Sequence, residues 1–409
     1  MRVLLLSHYF PPEAGAPQAR LSETARQWAA DGIDVTVLTG MPNHPTGVIP
    51  EDYRGAVLRD ERRDGYRVLR TWLYATANEG FVRKTLGHLS FMMTSVLLGL
   101  GRTGPVDVVV VSSPTFFSIG SAWAISRLRR ARLVVEVRDL WPAIFVELGV
   151  LTNRRVINLL ERLELAAYGA ADAVVVVTDG FREDLLRRGV PPDKVTVIRN
   201  GADLAAFSSS AAVNPAVRYR LGAGPDESLV LYIGAHGISQ GLPMAARAAH
   251  LLRNEAVRFA FVGEGADKRR LVETVEQLGL QGRVTLLPAV PRGEVPLMLA
   301  ASDVCLIPLR DIPLFSTFIP SKIFECLAAE KAVIGSVRGE PAGILTAAGA
   351  LVVEPENDEA LAAAVLELAH DPERRREMGA AGRAYVSRHY DRTVLARRYA
   401  DLLQEVVER

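Results

Sequence analysis

The chain has 409 residues, 49% of them hydrophobic and 23% charged. That is the composition of a folded protein with two or three cores, not of a disordered, collagen-like or multi-spanning chain. Lys and Arg total 48 against 47 Asp and Glu, a net charge of +1, so no overall field draws it to nucleic acid and any anion site must be built locally. The two cysteines, Cys305 and Cys326, cannot form a disulfide framework and stand at no metal-ligand spacing.

Residues 1–7 are too short for the apolar region of a secretory signal and run directly into His8-Tyr9-Phe10-Pro11-Pro12, so the cytoplasm is the expected compartment. The apolar run 2–7 predicts a strand opening onto a Pro/Gly-rich loop. Helical spacing follows at 18–30 and a second strand at 33–38. Runs at 106–111, 133–137 and 173–177 predict further strands, with helices around 117–129, 154–168 and 180–187. Runs that are apolar at every position imply strands covered on both faces, hence a parallel sheet between layers of helices. Residues 200–218, rich in Ala and Ser, read as a linker. The alternation then restarts at 229–233 and continues through 259–262, 284–286, 304–307, 332–334 and 351–353. The expected fold is α/β, with two Rossmann-like doubly wound domains facing a central cleft. Their expected bounds are 1–205 and 206–388, with a tail at 389–409, helical over 392–407, that packs back on the first domain.

One stretch departs from this rhythm. Residues 85–100 (TLGHLSFMMTSVLLGL) are apolar almost all round, flanked by Arg83, Lys84 and Arg102. They fall short of the ~20 residues needed to span a bilayer. They predict either a core helix or one lying in a membrane surface.

In open parallel sheets, ligands bind beyond the carboxyl ends of the strands. After the first strand, Gly15 can let a phosphate approach the backbone before the following helix, or simply make a tight turn. After 133–137 come Arg138, Asp139 and Trp141, suited to an active-site wall or to a bracing ion pair. In the second half Tyr232-Ile233-Gly234-Ala235-His236-Gly237 and Phe261-Val262-Gly263-Glu264-Gly265 each set small residues after a strand. The second of these lacks the third glycine of a dinucleotide fingerprint. Pro320-Ser321-Lys322-Ile323-Phe324-Glu325 opens a helix with Lys322 and Glu325 on one face, a cation for phosphate and a carboxylate for ribose hydroxyls. Only 5 of the 48 basic residues are Lys.

Together SHYFPPEAGAPQAR at 7–20, RDLWP at 138–142, VIRNGAD at 197–203, FVGEG at 261–265 and FSTFIPSKIFECLAAEKAVI at 315–334, with GE at 339–340, resemble the family 4 retaining glycosyltransferases of the GT-B fold. Within that family the chain looks like the WbuB-like branch, whose members build bacterial glycans from nucleotide-activated amino sugars. The resemblance implies a nucleoside diphosphate sugar, commonly UDP-linked, in the C-terminal domain. It implies a saccharide, lipid-linked or natural-product acceptor on the N-terminal side and no metal; with the basic-flanked apolar stretch 85–100 on that same side, peripheral contact with the cytoplasmic face of a membrane is expected. Donor-side positions would be Gly15, Gly234, His236, Gln240, Gly263, Glu264, Gly265, Pro288, Val290, Ser321, Lys322, Ile323 and Glu325. Of these, Glu325 would hold the ribose, the backbone at 288–290 the base, and Lys322 the diphosphate. Lys322, Arg138 and Asp139 would serve the chemistry, with Trp141 and His88 beside the acceptor.

Four positions depart from the family pattern. Thr317 stands where the first of a glutamate pair is usual, His236 and Gln240 replace an Arg and a Lys, and Arg138 replaces a His. Rival readings are a nucleotide-sugar epimerase or GT-B phosphorylase, and a two-lobed solute-binding protein, which should carry a secretion signal. An NAD-dependent oxidoreductase is disfavoured because no Gly-x-Gly-x-x-Gly follows the first strand.

Overall fold

The computed structural model describes residues 1–13, 15–44, 46–76, 81–113, 116–207 and 214–409. Ala14 of the first loop, residues 208–213 of the expected linker and the Lys84 side chain lie outside the described residues. The rest forms two compact units, Met1–Arg199 joined by Arg392–Arg409, and Asn200–Asp391.

The first unit is built on eight strands: β1 (Arg2–Leu6), β2 (Asp34–Gly40), β3 (Leu58–Arg63), β4 (Tyr66–Thr71), β5 (Val108–Ser112), β6 (Arg132–Val137), β7 (Ala173–Val176) and β8 (Val195–Val197). Their order is β3-β4-β2-β1-β5-β6-β7-β8. Every residue of β5 and β7 is buried, as uninterrupted valine runs require of strands covered on both faces. The sheet is not wholly parallel, which corrects the sequence expectation. β3 runs antiparallel to β4, and neither strand was anticipated. β3 reads Leu-Arg-Asp-Glu-Arg-Arg and lies at the solvated edge, so it lacks the apolar signature of its neighbours. The signal that marks the hairpin is its turn, Asp64-Gly65, with φ of 46° and 87°, the pair of positive angles a two-residue hairpin turn demands.

Chain order fixes where a ligand can sit in this unit. β1, β2 and β4 grow to one side and β5 to β8 to the other, so β1 and β5 are neighbours at the point where the winding reverses. The loops after those two strands open the crevice there. Helices α1 (Ala16–Ala30), α2 (Phe81–Thr94) and α3 (Phe116–Arg129) cover the sheet. The C-terminal helix, Arg392–Glu408, lies on α1. The Trp28 indole donates to the Ala396 carbonyl at 2.8 Å and meets the Tyr399 ring edge-on at 5.2 Å, while Arg392 pairs with Glu23. Tyr399, Leu403 and Val406 thereby join the first unit's core.

The apolar stretch 85–100 divides between two faces. α2 continues as a wider π turn through Ser95–Gly99. Gly87, Phe91, Ser95 and Gly99, four residues apart, point inward. A Cβ on Gly99 would stand 2.9 Å from the Leu38 methyls, so the helix sits close on β2. The opposite face exposes Leu86 (51%), Met93 (57%) and Leu97 (72%). Exposed Trp72 and Tyr74 adjoin it, because Thr94 Oγ1 donates to the Trp72 carbonyl at 2.5 Å and the Tyr74 amide donates to Ser90 Oγ at 2.7 Å. Among the described residues no helix is long and apolar enough to cross a membrane.

The second unit is a six-stranded sheet, β9 (Ser228–Ile233), β10 (Val257–Val262), β11 (Val284–Leu287), β12 (Val304–Pro308), β13 (Ala332–Ser336) and β14 (Leu351–Val353), all parallel. The order β11-β10-β9-β12-β13-β14 puts its winding reversal between β9 and β12.

Candidate active site

In the second unit, three chain segments converge beyond the carboxyl ends of β9 and β10. β9 ends at Ile233 and turns on Gly234, whose φ of 141° disfavours any side chain. A Cβ there would lie 2.9 Å from Lys322 Nζ. Gly263, after β10, has φ 150°, and a Cβ on it would overlap the Gly234 carbonyl oxygen; one on Gly265 would overlap the His236 carbonyl. These glycines therefore let two loops and one ammonium share a small volume.

Lys322 opens the helix Lys322–Ala328. Its ammonium donates to the Tyr232 phenol oxygen and sits 3.7 Å from the centre of that ring. The phenol in turn donates to the Ala235 carbonyl at 2.5 Å. Burial lowers the Lys322 pKa to about 7, against the opposing pull of Cys326 and Glu325. His236 is fully buried, with its ring against the Val262 backbone. Burial, reinforced by Lys268 and Lys322, holds it down at about 4, so the ring is neutral at pH 7. Gln240 ends the single turn Ile238–Gln240, with its side-chain oxygen buried and unpartnered.

Glu325 is 8% exposed and accepts from Arg292 Nη1 at 2.7 Å. The Arg292 guanidinium also lies 5.2 Å from the Phe207 ring centre. Pro288 is exposed and Val290 half-buried, in the segment leading from β11 to Arg292. Ser321 is half-buried, whereas Ile323 is a core side chain. Glu264 points largely into solvent and reaches Lys268 at 3.5 Å. Thr317 Oγ1 donates back to the Leu314 carbonyl at 2.9 Å and so closes its own turn. Sequence reasoning missed three participants. Tyr232 was marked only by being the one aromatic in Ser-Leu-Val-Leu-Tyr-Ile. Arg292 carried no local signal. Lys268 clasps the ends of β10 and β11 by donating to the Gly263 and Leu287 carbonyls at 2.8 and 2.9 Å.

In the first unit, Gly15 precedes α1, and a Cβ there would overlap the Gln18 side-chain oxygen. Glu13, two residues earlier, is buried and accepts the amides of Phe10, Asn43 and His44 at 3.0, 2.8 and 2.8 Å. Burial nevertheless pushes its pKa up. His8, just after β1, stacks on His88 of α2 with ring centres 4.4 Å apart and planes 21° apart. Tyr9 meets His8 edge-on at 4.4 Å and approaches His44 at 4.9 Å. Arg138 Nε donates to the Ser113 carbonyl at 2.6 Å, beyond β5. Burial lowers the Arg138 pKa, opposed by Glu136 and Asp139, and burial raises that of Asp139, opposed by Arg138. No ion pair joins Arg138 to Asp139 among the described residues. The ion pair of this region is Arg20 with Glu136, at 2.7 Å and fully buried, with Ser112 Oγ adding a bond at 2.6 Å. Burial alone would raise Glu136; Arg20 and Arg138 outweigh it and hold the group below its ordinary value. Trp141 stands edge-on to Phe145 at 6.2 Å. His88 is thus tied to the loop after β1 and Arg138 to the loop after β5, the two strands at the reversal.

Residues 15–201 match the family model of the glycosyl transferase 4-like domain, and residues 214–385 that of glycosyl transferases group 1. The chain belongs to the family 4 glycosyltransferases of the GT-B fold, and it is an enzyme of the hexosyltransferase type. It is 28% identical over 376 residues to the protein described as the colanic acid biosynthesis glycosyl transferase WcaI of Escherichia coli K12, covering 89% of this chain and 91% of that one. It is 31% identical over 409 residues to the D-inositol 3-phosphate glycosyltransferase of Kineococcus radiotolerans, covering 93% and 89%. The fold superposes on Anabaena HepE in complex with UDP-glucose with a TM-score of 0.75 at 16% identity, over 99% of this chain and 100% of that one.

Proposed function

We propose that the enzyme is a retaining glycosyltransferase that takes an amino or deoxy sugar from a UDP-linked donor to a hydroxyl of a saccharide, lipid-linked or natural-product acceptor. The observation that carries the reading is the Lys322 ammonium, held at Gly234 where the winding of the second sheet reverses. A cation there, beside crowded glycine loops, suits a diphosphate whose charge grows as the sugar leaves. In this reading Glu325 takes the ribose hydroxyls and the segment at 288–290 meets the base. Arg138 and Asp139 are the first unit's candidates for the chemistry, and His88 and Trp141 its candidates for acceptor binding. With His236 neutral and Gln240 uncharged, Lys322 bears the main formal charge toward the leaving group. No metal takes part, so EDTA leaves activity unchanged. The exposed face of Leu86, Met93 and Leu97 supports peripheral contact with a membrane that carries the acceptor lipid.

A thermal-shift screen against UDP, GDP and their sugars tests the donor assignment. A nucleotide at 100 times its dissociation constant adds about 2.7 kcal/mol of stability. UDP is the first to try, given the HepE complex with UDP-glucose. If no nucleotide moves the transition, the reading is wrong. Incubation with the donor alone separates an epimerase, which would release an isomerised sugar without acceptor.

A further inference from the structure

We infer that Tyr232 is a positioning residue for Lys322: its phenol links the end of β9, the loop at Ala235 and the Lys322 ammonium into one brace that keeps the cation aimed at Gly234. This rests on the reading that Lys322 faces the donor diphosphate.

A phenol has one proton to give. Tyr232 spends it on the Ala235 carbonyl at 2.5 Å, which leaves its oxygen lone pairs toward Lys322 as acceptors only. The Lys322 ammonium donates to that oxygen and lies over the ring face at 3.7 Å, two interactions that favour its charged form. Tyr232 is itself 1% exposed and packed in the core of the second unit, so the acceptor is fixed before any ligand arrives. Gly234 completes the arrangement, because a side chain there would meet the same Nζ and Cε atoms at 2.9 and 3.2 Å.

The brace matters because the cation is otherwise poorly supported. Burial lowers the Lys322 pKa to about 7, and only Glu325 and Cys326 on its own helix pull the other way. From the loop after β9 it faces His236, which is neutral. A group poised near neutrality depends on each acceptor it has. Losing one charge-assisted hydrogen bond should lower its pKa by about one unit.

Tyr232→Phe keeps the ring and removes the oxygen. Two measurements on the full chain decide the matter. The first is affinity for UDP, with GDP in parallel, by calorimetry at pH 8. The second is acetylation of each of the five lysines against pH, read by mass spectrometry. The expected result is binding about tenfold weaker and a Lys322 acetylation midpoint about one unit lower, with the other four lysines unmoved. Weaker binding with an unmoved Lys322 midpoint would show that the hydroxyl only shapes the loop, and would overturn the inference. Should the variant fold poorly, wild-type protein still tests it: a Lys322 side chain that NMR relaxation shows to be as mobile as an exposed lysine before nucleotide is added sinks the brace. Lys322→Ala separates the two levels. If it loses nucleotide affinity while Tyr232→Phe changes neither readout, the donor reading stands and this inference fails. If Lys322→Ala binds as wild type, or wild type binds neither nucleotide, both fail.

Discussion

Arg292 reaches the Glu325 carboxylate at 2.7 Å while its guanidinium lies on the Phe207 ring at 5.2 Å. The carboxylate expected to hold a ribose is therefore fixed in place before a nucleotide binds. Arg292→Ala should weaken donor binding about tenfold with little change in turnover, the scale of one hydrogen bond to a charged group. Glu325→Ala should weaken it further. Donor KM and kcat measured separately check this; an unchanged KM for Arg292→Ala would reduce the pair to loop architecture.

Lys322→Ala should lower turnover by about 10²–10³, the scale for removing one preorganised donor to developing charge. Thr317→Ala should do less than Glu325→Ala, since the Thr317 hydroxyl is spent on the Leu314 carbonyl at 2.9 Å. Steady-state kinetics of the three variants compares them, and near wild-type turnover in Lys322→Ala would move the leaving-group charge to another residue.

His236 gives the folded protein a pH dependence of known sign. Its pKa is about 4 in the folded state against about 6.5 in an unfolded chain, so the unfolded chain binds the proton that the folded one refuses. The stability this group contributes is complete above pH ~6.5 and is lost as pH falls toward ~4, by up to about 3 kcal/mol. His236→Gln should lack that loss. Urea unfolding of both proteins from pH 7.5 to 4.5 should show their stabilities converging as pH falls; parallel curves would count against the buried neutral imidazole.

The exposed α2 face should bind anionic vesicles. Leu86→Asp together with Leu97→Asp should abolish sedimentation with them, and Arg83→Ala or Arg102→Ala should each weaken it about fivefold, the equivalent of ~1 kcal/mol per basic residue near the surface. Wild-type protein that sediments with neither anionic nor neutral vesicles would assign the face to some other contact.

The covered strands were legible because Val108–Ser112, Ala173–Val176 and Val304–Pro308 are apolar at nearly every position. The turn glycines were legible because Gly234 and Gly263 stand directly after the apolar runs of β9 and β10. β3 was not, since an edge strand can be built from Arg, Asp and Glu whose side chains face water. The partners of the site residues were hidden for a different reason. Lys322 meets Tyr232, and Glu325 meets Arg292, through the return of the chain to neighbouring strand ends, and no local spacing records that.

The backbone leaves the first unit at Arg199 and re-enters it at Arg392. During synthesis at ~5–20 residues per second, roughly ten to forty seconds separate those two points. Throughout that interval the first unit has all eight of its strands, yet Trp28 waits for Tyr399 and Ala396, and the apolar surface of α1 that the C-terminal helix will cover stays open to solvent, whereas Asn200–Asp391 is complete as soon as its last residue is made. The second unit should therefore be the first to acquire protease resistance on the ribosome, and the first unit should be the one that holds a chaperone's attention until its closing helix has emerged.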